Sequence, residues 1–248
     1  MNTLLVADVH LKAVEAGRPH RDAFCRFLDS IPGAGYTRFI CLGDLFDFWF
    51  EYRHVVFSDF FGVLRAFARL RDAGVEVHLL SGNHDFWAGR FLEQELGFQV
   101  HREPVSLPFG GPRVLLAHGD GVNPRDYGYR LYKRIARNPF VIGAFRLIHP
   151  DWAMGIARAV SHSSRTMLQV DNPAEGPEAR AIHAWARGIL ERNEADIVVC
   201  GHAHAPAQVR YGQGMYINTG AWMRQHCYVA HDGETFSLRT GEVAEAVE

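Results

Sequence analysis

No pair of cysteines in this 248-residue chain is spaced C-x-x-C; the four present, Cys25, Cys41, Cys200 and Cys227, stand far apart. Two of them, Cys41 and Cys200, fall inside apolar runs of the kind that become buried strands. That usage suits a reduced, cytoplasmic protein. Long hydrophobic runs are missing too: none reaches the ~18–20 residues that a membrane-spanning helix requires. The first residues, "MNTLLVADVHLK", lack a basic n-region and a small-residue cleavage site, and Asp8 interrupts them early. They read as a first strand. Net charge is small, at -2, which gives no general reason to expect a polyanion as partner. Neither an internal repeat nor a low-complexity tract is present.

What the chain does have is apolar content, 48%, enough for a substantial core. Residues 1–248 are expected to form one domain. Its first half alternates short apolar runs with helical patterns: "TLLVA" with "HRDAFCRFLDSI", "RFICL" with "FSDFFGVLRAFARLRDAG", and "VEVHLL" with "WAGRFLEQELG". This is the rhythm of βαβ units around a parallel sheet. Further strands are expected at "RVLLAH" and "ADIVVCGH", followed by "PAQVRY", "GMYINTG", "CYVAH" and "TFSLRT". The last four run close together without helices between them, as in an antiparallel meander. The expectation is an α/β fold with a second, more antiparallel sheet.

Between "RVLLAHGD" and "ADIVVCGH" lies a helical stretch broken by Pro139 and Pro150. Arg125 to Arg165 holds eight basic residues against two acidic ones, so this segment is cationic within a chain that is slightly anionic. It is also rich in apolar side chains, among them Phe140, Val141, Ile142, Phe145, Leu147, Ile148 and Trp152. Those residues either line an apolar groove, touch a bilayer surface, or pack the helices on one another.

Nearly every expected core strand ends in metal-ligand chemistry. "VADVH" presents Asp8 and His10; "CLGDLFD" presents Asp44 and Asp47; "LSGNHD" presents Asn83, His84 and Asp85; "LLAHGD" presents His118 and Asp120; "VCGHAH" presents His202 and His204. In open α/β sheets the carboxyl ends of strands converge on the edge where ligands bind. If the D-x-H and H-x-H pairs are locally extended, both members share a face. Carboxylate, imidazole and amide oxygen together suit Mn, Fe or Zn, and the absence of thiolates argues against a structural zinc site. Seven donors exceed what one tetrahedral ion takes and suit two ions sharing a bridging carboxylate. The remaining histidines, such as His20, His54, His78, His101 and His183, match no such motif.

In this order "DVH", "GDLFD", "GNHD", "AHGD" and "GHAH" resemble the pattern DxH, GDxxD, GNH[DE], H and GHxH of the calcineurin-like metallophosphoesterases. The resemblance runs over most of the chain. It implies a four-layer α/β/β/α sandwich and two divalent metal ions, Mn first with Fe or Zn as alternatives. One ion would be held by Asp8, His10, Asp44 and His204, the other by Asp44, Asn83, His118 and His202, with Asp44 as bridge. His84 would meet the substrate, stabilising developing charge or protonating the leaving oxygen. Asp85 is expected to hold His84 in orientation, and Asp47 and Asp120 either to orient ligands or to cap turns.

Residues 122–170 are similar to the helical lid of the UDP-2,3-diacylglucosamine hydrolases, through "HGDGVNPRDYGYR" and "SHSSR". That resemblance implies hydrolysis of a nucleotide-sugar lipid to UMP and a diacylated sugar 1-phosphate in lipid A synthesis. Asp126, Tyr129, Ser164 and Arg165 become candidate substrate contacts. It also implies a cytoplasmic location with peripheral contact at the inner membrane, no nucleic-acid partner, and no protein partner. Other readings stay open: a phosphodiesterase of different specificity, a DNA-repair-type nuclease sharing GDxFD and GNHD, or a scaffold that has lost catalysis.

Overall fold

The computed structural model describes residues 1–156 and 176–242. In chain order the first half runs β1 (Thr3–Val6), α1 (Arg18–Ser30), β2 (Arg38–Cys41), α2 (Phe61–Asp72), β3 (Glu76–Leu80), α3 (Arg90–Glu95), β4 (Gln99–His101), β5 (Val105–Pro108) and β6 (Arg113–Ala117). Helices α4 (Tyr127–Ala136) and α5 (Pro139–Phe145) follow, then α6, helical over 150–156. The chain closes with α7 (Pro177–Glu191), β7 (Ile197–Cys200), β8 (Ala207–Tyr211), β9 (Gly214–Asn218), α8 (Trp222–Gln225), β10 (Cys227–His231) and β11 (Phe236–Thr240).

Two sheets result, in the orders β11-β10-β1-β2-β3-β4 and β5-β6-β7-β9-β8. β1 to β4 pair in parallel, as do β6, β7 and β9, while β10 joins β1 antiparallel. Strands β1, β2 and β7 are buried along their whole length, which is why they read as unbroken apolar runs. Side-chain alternation divides β1 between two cores. Leu4 and Val6 pack towards α1 and α2, whereas Leu5 meets the other sheet through Val114, Leu116 and Val199. On the outer flank, α1 turns Phe24, Phe27 and Leu28 inward and α2 turns Val63, Phe67 and Leu70. On the far side α7 covers the second sheet with Ile182, Ala186 and Ile189. The layers are helix, sheet, sheet, helix.

The expected strands and the three early helices are present, but the C-terminal meander is not. β8–β9 and β10–β11 are separate hairpins: the first belongs to the second sheet, and the short α8 then carries the chain across so that β10 and β11 extend the first. Alternation along a strand reports that one face is buried, not which sheet it joins. The short strands β4 and β5 had no clear sequence signal; β5 alternates half-buried and exposed residues and contains Pro108.

Candidate metal centre

Because β1, β2 and β3 run parallel in one sheet and β6 and β7 in the other, the five loops after them gather at one end of the sandwich. The seven side chains expected there do converge. Asp44 Oδ2 lies 3.7 Å from His10 Nε2 and 3.4 Å from His118 Nε2. His204 Nε2 stands 3.4 Å from Asp8 Oδ1 and 3.3 Å from His10 Nε2, and His118 Nε2 is 3.2 Å from Asn83 Oδ1. Donor atoms of Asp8, His10 and His204 form one compact group, and those of Asp44, His118 and His202 a second.

Backbone geometry shows how tightly this is built. Asp8, His10, Asp44, His202 and His204 all have positive φ, between 49° and 64°. The left-handed region costs a non-glycine residue about 1–2 kcal/mol, so the strain is concentrated where the donors are. It also corrects the expected extended pairs: D-x-H and H-x-H present both side chains to one place through alternate left-handed residues. Hydrogen bonds from His10 N to Asp44 O (2.9 Å), from Asp8 N to Gly43 O (3.1 Å) and from His202 N to Asp8 Oδ2 (2.8 Å) hold the loops together. Gly43 and Gly82 are needed for the approach, since a Cβ on the first would collide with the His118 ring and one on the second with Asp44.

Electrostatics treat the imidazoles around the buried carboxylates differently, favouring the neutral form of His10 and His202 and the charged form of His118. Burial, reinforced by the neighbouring His118, pushes His202 down to about 4, and burial lowers His10 well below 6.5. Burial also opposes charge on Asp44, but His118, His84 and His10 outweigh it and hold the carboxyl well below its usual range. His118 is lifted to about 10 despite its burial, chiefly by Asp44. Its Nδ1 is 2.8 Å from Leu42 O, a contact that fixes Nδ1–H as donor and leaves Nε2 facing Asp44 and Asn83. The cluster therefore calls for positive charge, which a divalent cation can supply in place of that proton. Asp8 Oδ1 is buried and has no hydrogen-bond partner among the described residues, as suits a metal-facing oxygen. The donor set fits divalent metals.

His84 sits beside the cluster. Its backbone N–H donates to Asp44 Oδ1 (2.9 Å) and its Nδ1 lies 2.8 Å from Asp47 O. Asp85 does not orient it, contrary to expectation. The Asp85 carboxylate is fully buried and accepts from Gly82 N (2.8 Å) and Leu45 N (2.8 Å), tying the GNHD loop to the GD loop. Burial and then the Asp44 charge raise it to about 6. Asp47 places Oδ1 3.6 Å from His10 Nδ1. Asp120 ties the His118 loop to α4: its Oδ2 accepts from Tyr129 Oη and Lys133 Nζ, each at 2.6 Å.

Of the four expected substrate contacts, Tyr129 borders the cavity described next. Asp126 caps α4, its Oδ1 accepting from Tyr129 N at 2.9 Å. Ser164 and Arg165 lie outside the described residues. An apolar cavity of about 430 Å³ opens at Asn83 and His84 and runs under α4 and α5, between Trp87 and Phe48 on the body and Tyr132, Val141 and Phe145 on the helices. Its aromatic wall was overlooked in the sequence, although a signal existed. The two motifs continue as "GDLFDFW" and "GNHDFW", so each ends in the same acidic, Phe, Trp run.

The calcineurin-like phosphoesterase family model matches residues 1–206. The chain belongs to that family. As a calcineurin-like phosphoesterase it is a hydrolytic enzyme, and its donor cluster lies where the five motifs meet. It is 31% identical to the UDP-2,3-diacylglucosamine hydrolase of Porphyromonas gingivalis, over 82% of this chain and 83% of that one. It is also 31% identical to the UDP-2,3-diacylglucosamine hydrolase of Azotobacter vinelandii, over 96% of this chain and 98% of the relative. Among the described residues of this phosphoesterase no helix is long and apolar enough to cross a membrane.

Proposed function

We propose that this phosphoesterase hydrolyses the diphosphate of UDP-2,3-diacylglucosamine, giving UMP and 2,3-diacylglucosamine 1-phosphate. The observation that carries the reading is the apolar cavity opening directly at Asn83 and His84. A phosphoesterase for small polar esters has no use for such a cavity, whereas acyl chains beside a scissile diphosphate do. The similarity to curated hydrolases of that substrate over most of the chain supports it.

In this reading Asp8, His10, Asp44 and His204 hold one divalent ion, and Asp44, Asn83, His118 and His202 the other. The mixed oxygen and nitrogen donors suit Mn, which we propose as the resident metal, over Fe or Zn. When bound, such a pair neutralises phosphate oxygens and acidifies a water. The protein's own part is then positional. Asp44 keeps its carboxylate ionised between the two groups, and Asp85 fixes the loop that carries Asn83 and His84. His84, its Nδ1 held against Asp47 O, offers its Nε2 to the substrate phosphate, where it steadies charge or protonates the departing UMP or sugar-phosphate oxygen.

Residues 122–170 act as the lid over the acyl chains, and Tyr129, Asp126, Ser164 and Arg165 lie along the substrate's path. Phe140, Leu147 and Trp152 are 88%, 89% and 73% exposed and are the residues we propose to rest on the cytoplasmic face of the inner membrane. The test is an activity panel with Mn²⁺ that compares a UDP-diacylated sugar with UDP-glucosamine derivatives lacking acyl chains, a generic phosphodiester and single-stranded DNA. Preference for the diacylated substrate is expected. Indifference to acylation, or faster cleavage of DNA, would replace this reading with a broader phosphodiesterase or a nuclease.

A further inference from the structure

The segment "WFEYRHVVF", Trp49 to Phe57, has no role in the metal centre beyond following one of its motifs. With the chain around Arg90 and one side of α5 it encloses a second cavity, of about 1190 Å³. Phe86 and Trp87 border both cavities, and α5 lies between them. Val141 and Phe145 line the smaller one, Ile142 and Arg146 the larger. Tyr52, also in its lining, donates its hydroxyl to Ile148 O at 3.1 Å and so ties the segment to the lid helices.

The larger cavity pairs an aromatic floor with a basic rim. Four arginines line it, Arg53, Arg90, Arg102 and Arg146, against two acids, Glu51 and Glu95. Glu51 is already engaged: it accepts from Gly89 N (2.8 Å) and Phe91 N (2.9 Å), with the Trp49 indole at 3.3 Å. Arg102 lies 3.6 Å from Glu93. The guanidinium groups of Arg53, Arg90 and Arg146 have neither an ion pair nor a hydrogen bond among the described residues. Val55 and Val56, both exposed, add aliphatic surface to the same lining.

Guanidinium groups match phosphate oxygens in geometry and charge, and the space is far larger than inorganic phosphate requires. We propose that this cavity is a second binding site, for a phosphate-bearing amphiphile, with the phosphate on Arg53, Arg90 and Arg146 and the hydrocarbon on Val55, Val56 and Ile142. Since Phe86, Trp87 and α5 are shared walls, its occupant sets the shape of the cavity at the metal centre. The site stands independently of which substrate that centre cleaves.

The Mn-loaded protein titrated with dihexanoyl phosphatidic acid should show saturable tryptophan quenching, because Trp49 and Trp87 line the cavity. Dihexanoyl phosphatidylcholine, inorganic phosphate and UMP should each bind roughly tenfold or more weakly, and Arg53→Glu with Arg90→Glu should weaken phosphatidic acid by a similar factor, as expected when charge-assisted bonds become repulsions. Turnover of a small chromogenic phosphodiester by that variant reports that it is folded; Arg146→Glu serves if it is not. Tyr132→Asp, in the smaller cavity, should leave the affinity at the wild-type value. Equal binding of phosphatidylcholine, phosphate or UMP, unchanged affinity in the arginine variants, or loss in Tyr132→Asp would each overturn the proposal.

Discussion

Tyr129 donates its hydroxyl to Asp120 Oδ2 across 2.6 Å, joining helix α4 to the loop that carries His118. Burial and the adjacent carboxylate push the Tyr129 phenol up, so it acts as a donor, and Lys133 completes the anchor at 2.6 Å. If this contact seats α4 over the cavity, Asp120→Asn should raise KM for the diacylated substrate roughly tenfold, in line with the ~1.5–3 kcal/mol of a hydrogen bond to a charged group. Small-diester turnover should change little. Lys133→Ala should reproduce part of the effect in steady-state kinetics, and an unmoved KM in both variants would mean that α4 is seated by other contacts.

The division of labour within the donor cluster can be read by pairing metal analysis with kinetics. Asp44 lies within reach of both His10 and His118, so Asp44→Ala should lose both ions along with activity. His84→Ala should retain two ions per chain and lose turnover by roughly 10²–10⁴, the range of a missing acid–base or charge-stabilising group. One ion in a fully active wild type would remove the dinuclear reading. Metal loss in His84→Ala would move His84 among the ligands, a place its proximity to His10 and Asp44 permits.

These assignments rest on features that were legible in the sequence for a simple reason: each donor lies within a few residues of a strand end, and parallel topology brings strand ends together. No long-range packing had to be foreseen. Helices α4 and α5 were not legible in the same way. On α4 the apolar side chains Tyr127 and Leu131 are exposed and away from the cavity while Tyr129, Tyr132 and Ile135 border it, so the sequence carries two apolar stripes and its periodicity selects neither. The same limit hid the anchor at Asp120, whose partners lie nine and thirteen residues away on a helix of unknown orientation. β10 and β11 were placed in the wrong sheet because the four-residue α8 that carries the chain across is too short to read. Asp85 failed as the partner of His84 because neighbours in a tight loop point to opposite sides, one into the buried loop and one into the cavity.

The exposures separate two roles for the apolar residues of α5. Phe145 lines the smaller cavity and packs 4.8 Å from Phe50 and 4.9 Å from Trp87 between ring centres, whereas Phe140 is 88% exposed. Val141→Ser with Phe145→Ser should spare a small chromogenic diester and weaken action on the diacylated substrate, since each buried CH₂ of an acyl chain contributes ~0.8 kcal/mol. Phe140→Ser should leave both reactions in detergent solution, and the melting temperature, near wild type. Thermal unfolding must accompany the double variant because Phe145 also packs α5 against Phe50 and Trp87. Wild-type kinetics on the diacylated substrate in a folded double variant would remove these residues as acyl contacts.

Away from the centre, the buried His78 and the half-buried His101 form a pair whose pH response has a definite sign. His78 Nδ1 and His101 Nε2 are 3.0 Å apart, and the rings stack within 9° of parallel. One ring must donate and the other accept, so at least one stays neutral. Burial pushes both below 6.5, in His78 against the opposing pull of Glu76, whose Oε1 is 3.3 Å from Nε2. The folded state thus binds protons less readily than the unfolded chain. The pair's contribution is complete above 6.5 and declines as the pH falls through 6.5 towards the lower folded-state values. Urea unfolding midpoints at fixed Mn²⁺ should therefore drop between about pH 7.5 and 5.5, and by less in His101→Gln, which removes one titrating ring and keeps a hydrogen-bonding partner for His78. Because other buried imidazoles such as His202 titrate in the same direction, the quantity to read is the difference in slope between variant and wild type. Identical slopes would show that this pair does not shape the acid sensitivity of the fold.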